Sequence, residues 1–136
     1  MGIVNAEITL KNLFDKLKSQ IGVIKEQDVR SITVTAMVDT GSWTLVINEA
    51  ICEKLGLSKT GTGSGSLADG TMALYDMAGP LEIWWKDRKV TLDALVVPNT
   101  DEVLLGAIPL EAMDLIVDPR GEELIGLPPE QTMHRI

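Results

Sequence analysis

The sequence predicts a mainly β fold with one or two short helices. Three observations carry this expectation. Apolar and polar residues alternate with period two along several stretches, β-branched residues fill those stretches, and turn-forming Gly, Pro, Asn and Asp separate them. With 136 residues the chain is long enough to bury its own core, and residues 1–136 are read as one domain.

Val4, Ala6, Ile8 and Leu10 alternate with Asn5, Glu7 and Thr9, as on a half-buried strand. Leu13, Phe14, Leu17 and Ile21 recur at roughly helical spacing, and Gly22 is placed to stop a short helix there. Ile32, Val34, Ala36 and Val38 alternate with Ser31, Thr33 and Thr35, and this strand runs straight into Asp39-Thr40-Gly41-Ser42. Thr44 to Ile47 is a further β-branched stretch, after which Asn48 can cap a helix carrying Ile51, Cys52 and Leu55 and ended by Gly56.

Thr60 to Ser66 (TGTGSGS) is too short for a linker between domains and reads as a mobile loop or strand edge. Asp69-Gly70 signals a tight hairpin turn. Leu81 to Trp85 and Val90 to Val97 read as strands joined by the charged turn Lys86-Asp87-Arg88, with Pro98-Asn99-Thr100 ending the hairpin. Trp84 and Trp85 point to opposite faces of their strand, so at least one should be buried. The apolar run Val103-Leu104-Leu105 ends at Gly106, and a short helix is expected over Ile108 to Met113. A strand from Leu115 to Val117, a turn at Pro119-Arg120-Gly121 and a last strand within Glu122 to Leu127 complete the reading. The two halves echo each other: apolar strand, Gly-bearing turn, short helix.

Composition excludes several classes of function. Hydrophobic residues make up 45% and charged residues 24%, as in soluble globular proteins, and no apolar run approaches the length of a membrane span, so no membrane partner is expected. A net charge of -8 disfavours nucleic acid, because phosphate binding needs clustered Lys and Arg. The N-terminus lacks the basic start and apolar block of a secretion signal, and the single Cys52 excludes an internal disulfide; both point to a cytoplasmic protein. Cys52 itself reads as a small buried hydrophobe on a helix.

The only histidine is His134, which leaves Ser-His-Asp, Cys-His and zinc chemistry without their parts, and no metal or cofactor is expected. Gly61, Gly63 and Gly65 lack the spacing of a phosphate loop. Asp114, Asp118, Glu122 and Glu123 read as solvated surface charge, with a cation site as the alternative. The residue types at Asp39-Thr40-Gly41-Ser42 suit a carboxylate that activates water. Gly41 permits backbone conformations barred to other residues and brings amides near the carboxylate, while Thr40 and Ser42 supply hydroxyls. An Asx-type turn would favour the same residues without any chemistry.

Ala36-Met37-Val38-Asp39-Thr40-Gly41-Ser42 resembles the catalytic motif of aspartic proteases: two apolar residues, then Asp-Thr-Gly, then Ser, Thr or Ala. Leu104-Leu105-Gly106 followed by Leu110 resembles the apolar-apolar-Gly element and ensuing helix late in retroviral-type proteases, in the same order and at a similar distance. Between them, Ala68-Asp69-Gly70-Thr71 lies where such proteases carry the flap, a β-hairpin that closes over substrate. The likeness spans Thr33 to Asp118 and is nearest to small retropepsin-like proteins of bacteria and archaea.

That resemblance implies an acid-protease closed β-barrel, active as a two-fold homodimer because the chain holds one Asp-Thr-Gly instead of two. It implies that Asp39 activates the water, Thr40 bonds across the dimer beneath the paired aspartates, and Gly41 shapes the floor of the site. Ser42, Ala68, Asp69, Gly70 and Thr71 would meet a peptide or protein substrate, with Leu105 and Gly106 as structural support. The Ser42 hydroxyl is expected to favour the ionised carboxylate. The chain departs from the pattern in the bulky Trp43 after the motif, in the long segment Lys11 to Arg30 and in the single glycine of the flap turn. The alternatives are a non-catalytic peptide-binding or dimerisation module on the same fold, and a small-ligand β-barrel.

Overall fold

Period-two alternation becomes strand wherever one face meets the core. The computed structural model describes residues 3–66 and 70–128. Its first strand, β1 (Asn5–Asn12), buries Ala6, Ile8 and Leu10 while Asn5 and Glu7 face out. Eight further strands follow: β2 (Ser31–Val38), β3 (Leu45–Asn48), β4 (Ser58–Ser66), β5 (Met72–Trp85), β6 (Arg88–Val97), β7 (Leu104–Leu105), β8 (Leu115–Asp118) and β9 (Glu123–Gly126). Helices α1 (Leu13–Gln20), α2 (Glu49–Leu55) and α3 (Ala107–Ala112) interrupt them, with a 3-10 turn at Glu26–Asp28.

Seven strands form one sheet in the order β1-β2-β7-β3-β6-β5-β4, with β1 pairing additionally to β5. β8 and β9 form a separate two-stranded sheet. The long β5 serves two neighbours in succession: residues 72–79 pair with β4 and residues 81–84 with β1. Pro80, which has no N–H to give a ladder, sits at the changeover, where the β5–β6 register also shifts. Ile8, Leu10, Leu45, Ile47, Leu55, Leu81, Ile83 and Leu105 are fully buried against one another. Burial on this scale stabilises by about 1.5–3 kcal/mol per side chain.

Two sequence expectations need correction. Among the described residues there are three α-helices, not one or two, because each of the weakly patterned segments finds a cap or a packing surface. Asn12 Oδ1 accepts from the Asp15 N–H and Asn48 Oδ1 from the Ile51 N–H, satisfying amides that a helix start leaves unpaired. Of the two readings of residues 60–66, mobile loop or strand edge, the structure has the second: β4 is the last strand of its sheet and runs antiparallel to β5 through Ser66↔Met72. β5 accordingly begins at Met72, nine residues before Leu81.

Helix α1 also turns its spacing outward. Phe14, Leu17 and Ile21 are exposed while Asp15 is 4% exposed. The inner side is polar by necessity, since Arg30 grips both Asp15 oxygens, Nε to Oδ2 at 2.7 Å and Nη2 to Oδ1 at 3.0 Å. This hydrogen-bonded pairing holds the Asp15 carboxyl below its ordinary range and outweighs the opposing effect of burial. Asn12 Nδ2 donates to the Leu55 carbonyl, tying the same corner to the end of α2. Of the tryptophan pair, Trp85 is buried and Trp84 faces outward, with Lys11, Lys16 and Lys89 within 5.0–5.4 Å of its ring. Beneath it lies Glu82, whose burial pushes its carboxyl up, while hydrogen bonds from Lys16 and Trp84 pull it down further.

Candidate active site

The Asp39 turn is built by threading one short strand between two others. β7 lies parallel to β2 (Met37↔Leu104, Val38↔Leu105) and antiparallel to β3 (Leu45↔Leu105, Val46↔Leu104). The chain between β2 and β3, residues 39–44, must therefore cross over the end of β7. The Asp39 N–H donates to the Leu105 carbonyl at 2.9 Å, so Asp39 is held where β2 stops. Ser42 N–H returns to the Asp39 carbonyl at 3.0 Å, closing the turn.

Gly106 locks this corner from below. A Cβ there would meet the Thr44 carbonyl oxygen, and would lie 2.5 Å from the Ser42 carbonyl oxygen and 2.8 Å from the Thr44 nitrogen, all backbone atoms that cannot swing away. Only a residue without a side chain lets the two strands approach this closely. Just beyond it, the Ala107 N–H donates to Ser42 O at 2.8 Å and the Ile108 N–H to Trp43 O at 3.0 Å, so the start of α3 is stitched to the turn. Leu105, fully buried, anchors β7 in the core.

At the turn itself the Gly41 N–H donates to Asp39 Oδ1 at 3.0 Å, orienting the half-buried carboxylate. Thr40 and Gly41 are exposed. The Ser42 hydroxyl is not turned to the carboxylate as expected: it donates to the Thr44 carbonyl at 3.2 Å. The backbone amide supplies the donor that sequence reasoning assigned to a hydroxyl, because the tight turn brings Gly41 N closer than the Ser42 side chain.

Asp39, Gly41, Ser42 and Trp43 form one side of a pocket of about 370 Å³. Ser64, Gly65 and Ser66 of β4 and Met72 and Tyr75 of β5 line another side, with apolar Val46, Leu95, Val97 and Leu104 between them and Thr100 and Glu102 at one end. The β4–β5 hairpin thus lines the same pocket as Asp39. Of the four expected flap residues, Ala68 and Asp69 lie outside the described residues. Gly70 takes a left-handed φ of +87°, as a tight turn demands, and it and Thr71 are exposed and are not among the described lining residues.

Sequence reasoning missed the β4 and β5 wall and the apolar floor. A signal was present in the Gly-Ser alternation of β4. A Cβ on Gly63 would stand 2.8 Å from Met77 Sδ, and one on Gly65 3.1 Å from Leu95 Cδ2 and 3.2 Å from the Tyr75 ring. The glycines are the inward face of a strand that lies flat on those side chains. Among the described residues, no group of three or more His, Cys, Asp or Glu is arranged to hold a metal ion, and no helix is long and apolar enough to cross a membrane.

A sequence model described as aspartyl protease matches residues 26–107, from the 3-10 turn to the Gly106 corner. Among solved structures, the chain is similar to the retroviral protease-like domain of Ddi1 from Leishmania major. The TM-score is 0.50 at 16% identity, over 75% of this chain and 90% of that one. At that identity the likeness concerns the fold. No curated protein matches the chain by sequence.

Proposed function

The chain belongs to the retropepsin-like aspartyl protease family, and on that premise we propose that it is an aspartic endopeptidase acting as a homodimer. The observation that carries the proposal is the Asp39 carboxylate, oriented by Gly41 N–H on a turn locked by Leu105 and Gly106, facing a pocket walled by a β-hairpin. One carboxylate is half of what peptide hydrolysis needs. Two carboxyls a few Å apart share a proton, one acting as base and the other as acid, as is general for aspartic proteases. A second copy would supply the other Asp39 across a two-fold axis. Ile108, beside the Gly106 corner, and Met72, in the pocket lining, are 50% and 64% exposed, apolar surface that a second copy would cover.

In this reading residues 1–136 form one protease domain and the β1–β5 pairing closes a barrel. One Asp39 deprotonates a water that attacks the scissile carbonyl. The protonated partner polarises that carbonyl oxygen and then protonates the leaving amine. Thr40 bonds across the dimer, and Gly41 and Ser42 with Ala68, Asp69, Gly70 and Thr71 contact the peptide, which lies extended between flap and turn. No metal or cofactor takes part.

The test is cleavage of a diverse peptide pool over about pH 3 to 7, with solution mass recorded for each sample. The wild type should cleave as a dimer, and Asp39→Asn should keep the fold and lose at least about a thousandfold in rate. A folded wild-type protein with no cleavage at any pH would overturn the proposal and assign the chain to peptide binding or dimerisation.

A further inference from the structure

Trp43 directly follows the Asp39 turn, yet its indole is 43% exposed and lines the pocket instead of packing in the core. Its Nε1–H donates to the Ser64 carbonyl at 2.9 Å, joining the turn to β4. β4 is the last strand of its sheet and pairs with β5 alone among the described strands. Trp43 belongs to no strand, so the Ser64 carbonyl bonds outside the β4–β5 ladder. Backbone groups of an antiparallel strand alternate between partner and free edge. With the register unbroken from Gly61↔Met77 to Ser66↔Met72, Thr62, Ser64 and Ser66 offer theirs to the free edge, while Gly63 and Gly65 turn theirs to β5.

A peptide that adds to a sheet edge as a new strand needs those outward groups. Ser64 is the middle one of the three and lies on the same pocket as Asp39. We propose that Trp43 is a latch on the peptide-binding edge: its indole N–H holds the Ser64 carbonyl in the peptide-free chain, and a bound peptide strand displaces it with a backbone N–H of its own. The inference rests on the protease reading for its ligand, a peptide in extended form, but not on the chemistry of Asp39. The exchange replaces one N–H···O bond with another, so no acceptor is stranded. The cost to the peptide is the net worth of the bond it breaks.

The test uses the full chain grown with 5-fluorotryptophan, read by fluorine NMR, and as probe a non-cleavable peptide bearing a statine residue between valine and leucine. The three tryptophans are assigned from W43F and W84F, and from the solvent isotope shift, which separates exposed Trp43 from buried Trp85. The probe should move the Trp43 resonance and leave Trp84 and Trp85 in place. W43F, which keeps an aromatic ring and loses the donor, should bind the probe about 2- to 12-fold more tightly, the span of one net hydrogen bond. If W43F does not fold, the resonance shift in the parent chain decides. Binding with Trp43 unmoved, or weakened by W43F, overturns the latch and leaves the protease reading intact. A probe that does not bind overturns the latch too, and cleavage of the peptide pool then decides whether the protease reading falls with it.

Discussion

Replacing Gly106 with alanine should unfold the corner that carries Asp39. The new Cβ would lie 2.5 Å from Ser42 O and 2.8 Å from Thr44 N, where carbon contacts ordinarily need well over 3 Å. The obstructing atoms are backbone of the turn itself, so relief requires the turn and β7 to part by about half an ångström, and overpacking of this kind costs about 1–3 kcal/mol. The same movement strains the Ala107 N–H to Ser42 O and Ile108 N–H to Trp43 O bonds, each contributing about 1 kcal/mol. The expected loss is about 3–5 kcal/mol with both bonds broken. At a slope of about 1–3 kcal/mol per molar urea, the unfolding midpoint drops by about 1–5 M. The assay is urea unfolding followed by tryptophan fluorescence at one fixed protein concentration, since dimerisation would couple stability to concentration. Gly61→Ala is the control: nothing lies within 4 Å of a Cβ there and its φ is not positive. Midpoints for the two variants within about 0.3 M of each other would refute the steric argument.

Other parts of the molecule give independent checks. Asp15, held below its ordinary 3.8 chiefly by the Arg30 hydrogen bonds, binds fewer protons folded than unfolded, so its stabilisation is complete above the ordinary value and lost as pH falls through the lower folded one. Urea midpoints should therefore decline below about pH 4, and Asp15→Asn should flatten part of that decline; an unchanged acid limb would count against the pairing. Burial pushes the Cys52 thiol up, with Glu53, Asp76 and Glu49 adding to it, so neutral-pH alkylation should be slower than for free cysteine and should quicken in urea. Equal rates in both states would remove that account. Arg88 donates to the carbonyls of Met113 (3.0 Å), Asp114 (2.9 Å) and Leu127 (2.6 Å), binding the end of the β8–β9 sheet where β8 starts and β9 stops to β6. Arg88→Met should speed amide exchange across Leu115–Asp118 and Glu123–Gly126 by about 10- to 100-fold, the effect of losing one or two such bonds. Unchanged protection would show that the sheet is held by its own packing.

Local patterns in the chain were enough to place much of this protein. β1 and β2 were readable because each buries one face, so burial imprints period two on the residues. The Asp39 turn and the Gly106 element were readable because their conformations tolerate few residue types. The α2 start was readable from Asn48, whose capping bond is made within three residues. Other features depended on partners distant in sequence. β4 has almost no apolar residues, and its identity as strand comes from lying on Tyr75, Met77 and Leu95, which a side chain on Gly63 or Gly65 would crowd. The outward apolar face of α1 follows from Arg30 claiming Asp15 from another segment. The orientation of Ser42 and the Trp43–Ser64 bond were likewise outside the reach of pattern, since which hydroxyl or indole finds which carbonyl is decided by a crossing of β7 between β2 and β3. Sequence alone determined the elements whose residues answer to their own backbone or to a one-sided core; tertiary structure decided those whose residues answer to a neighbour, because hydrogen bonds and steric exclusion act between atoms brought together only by the fold.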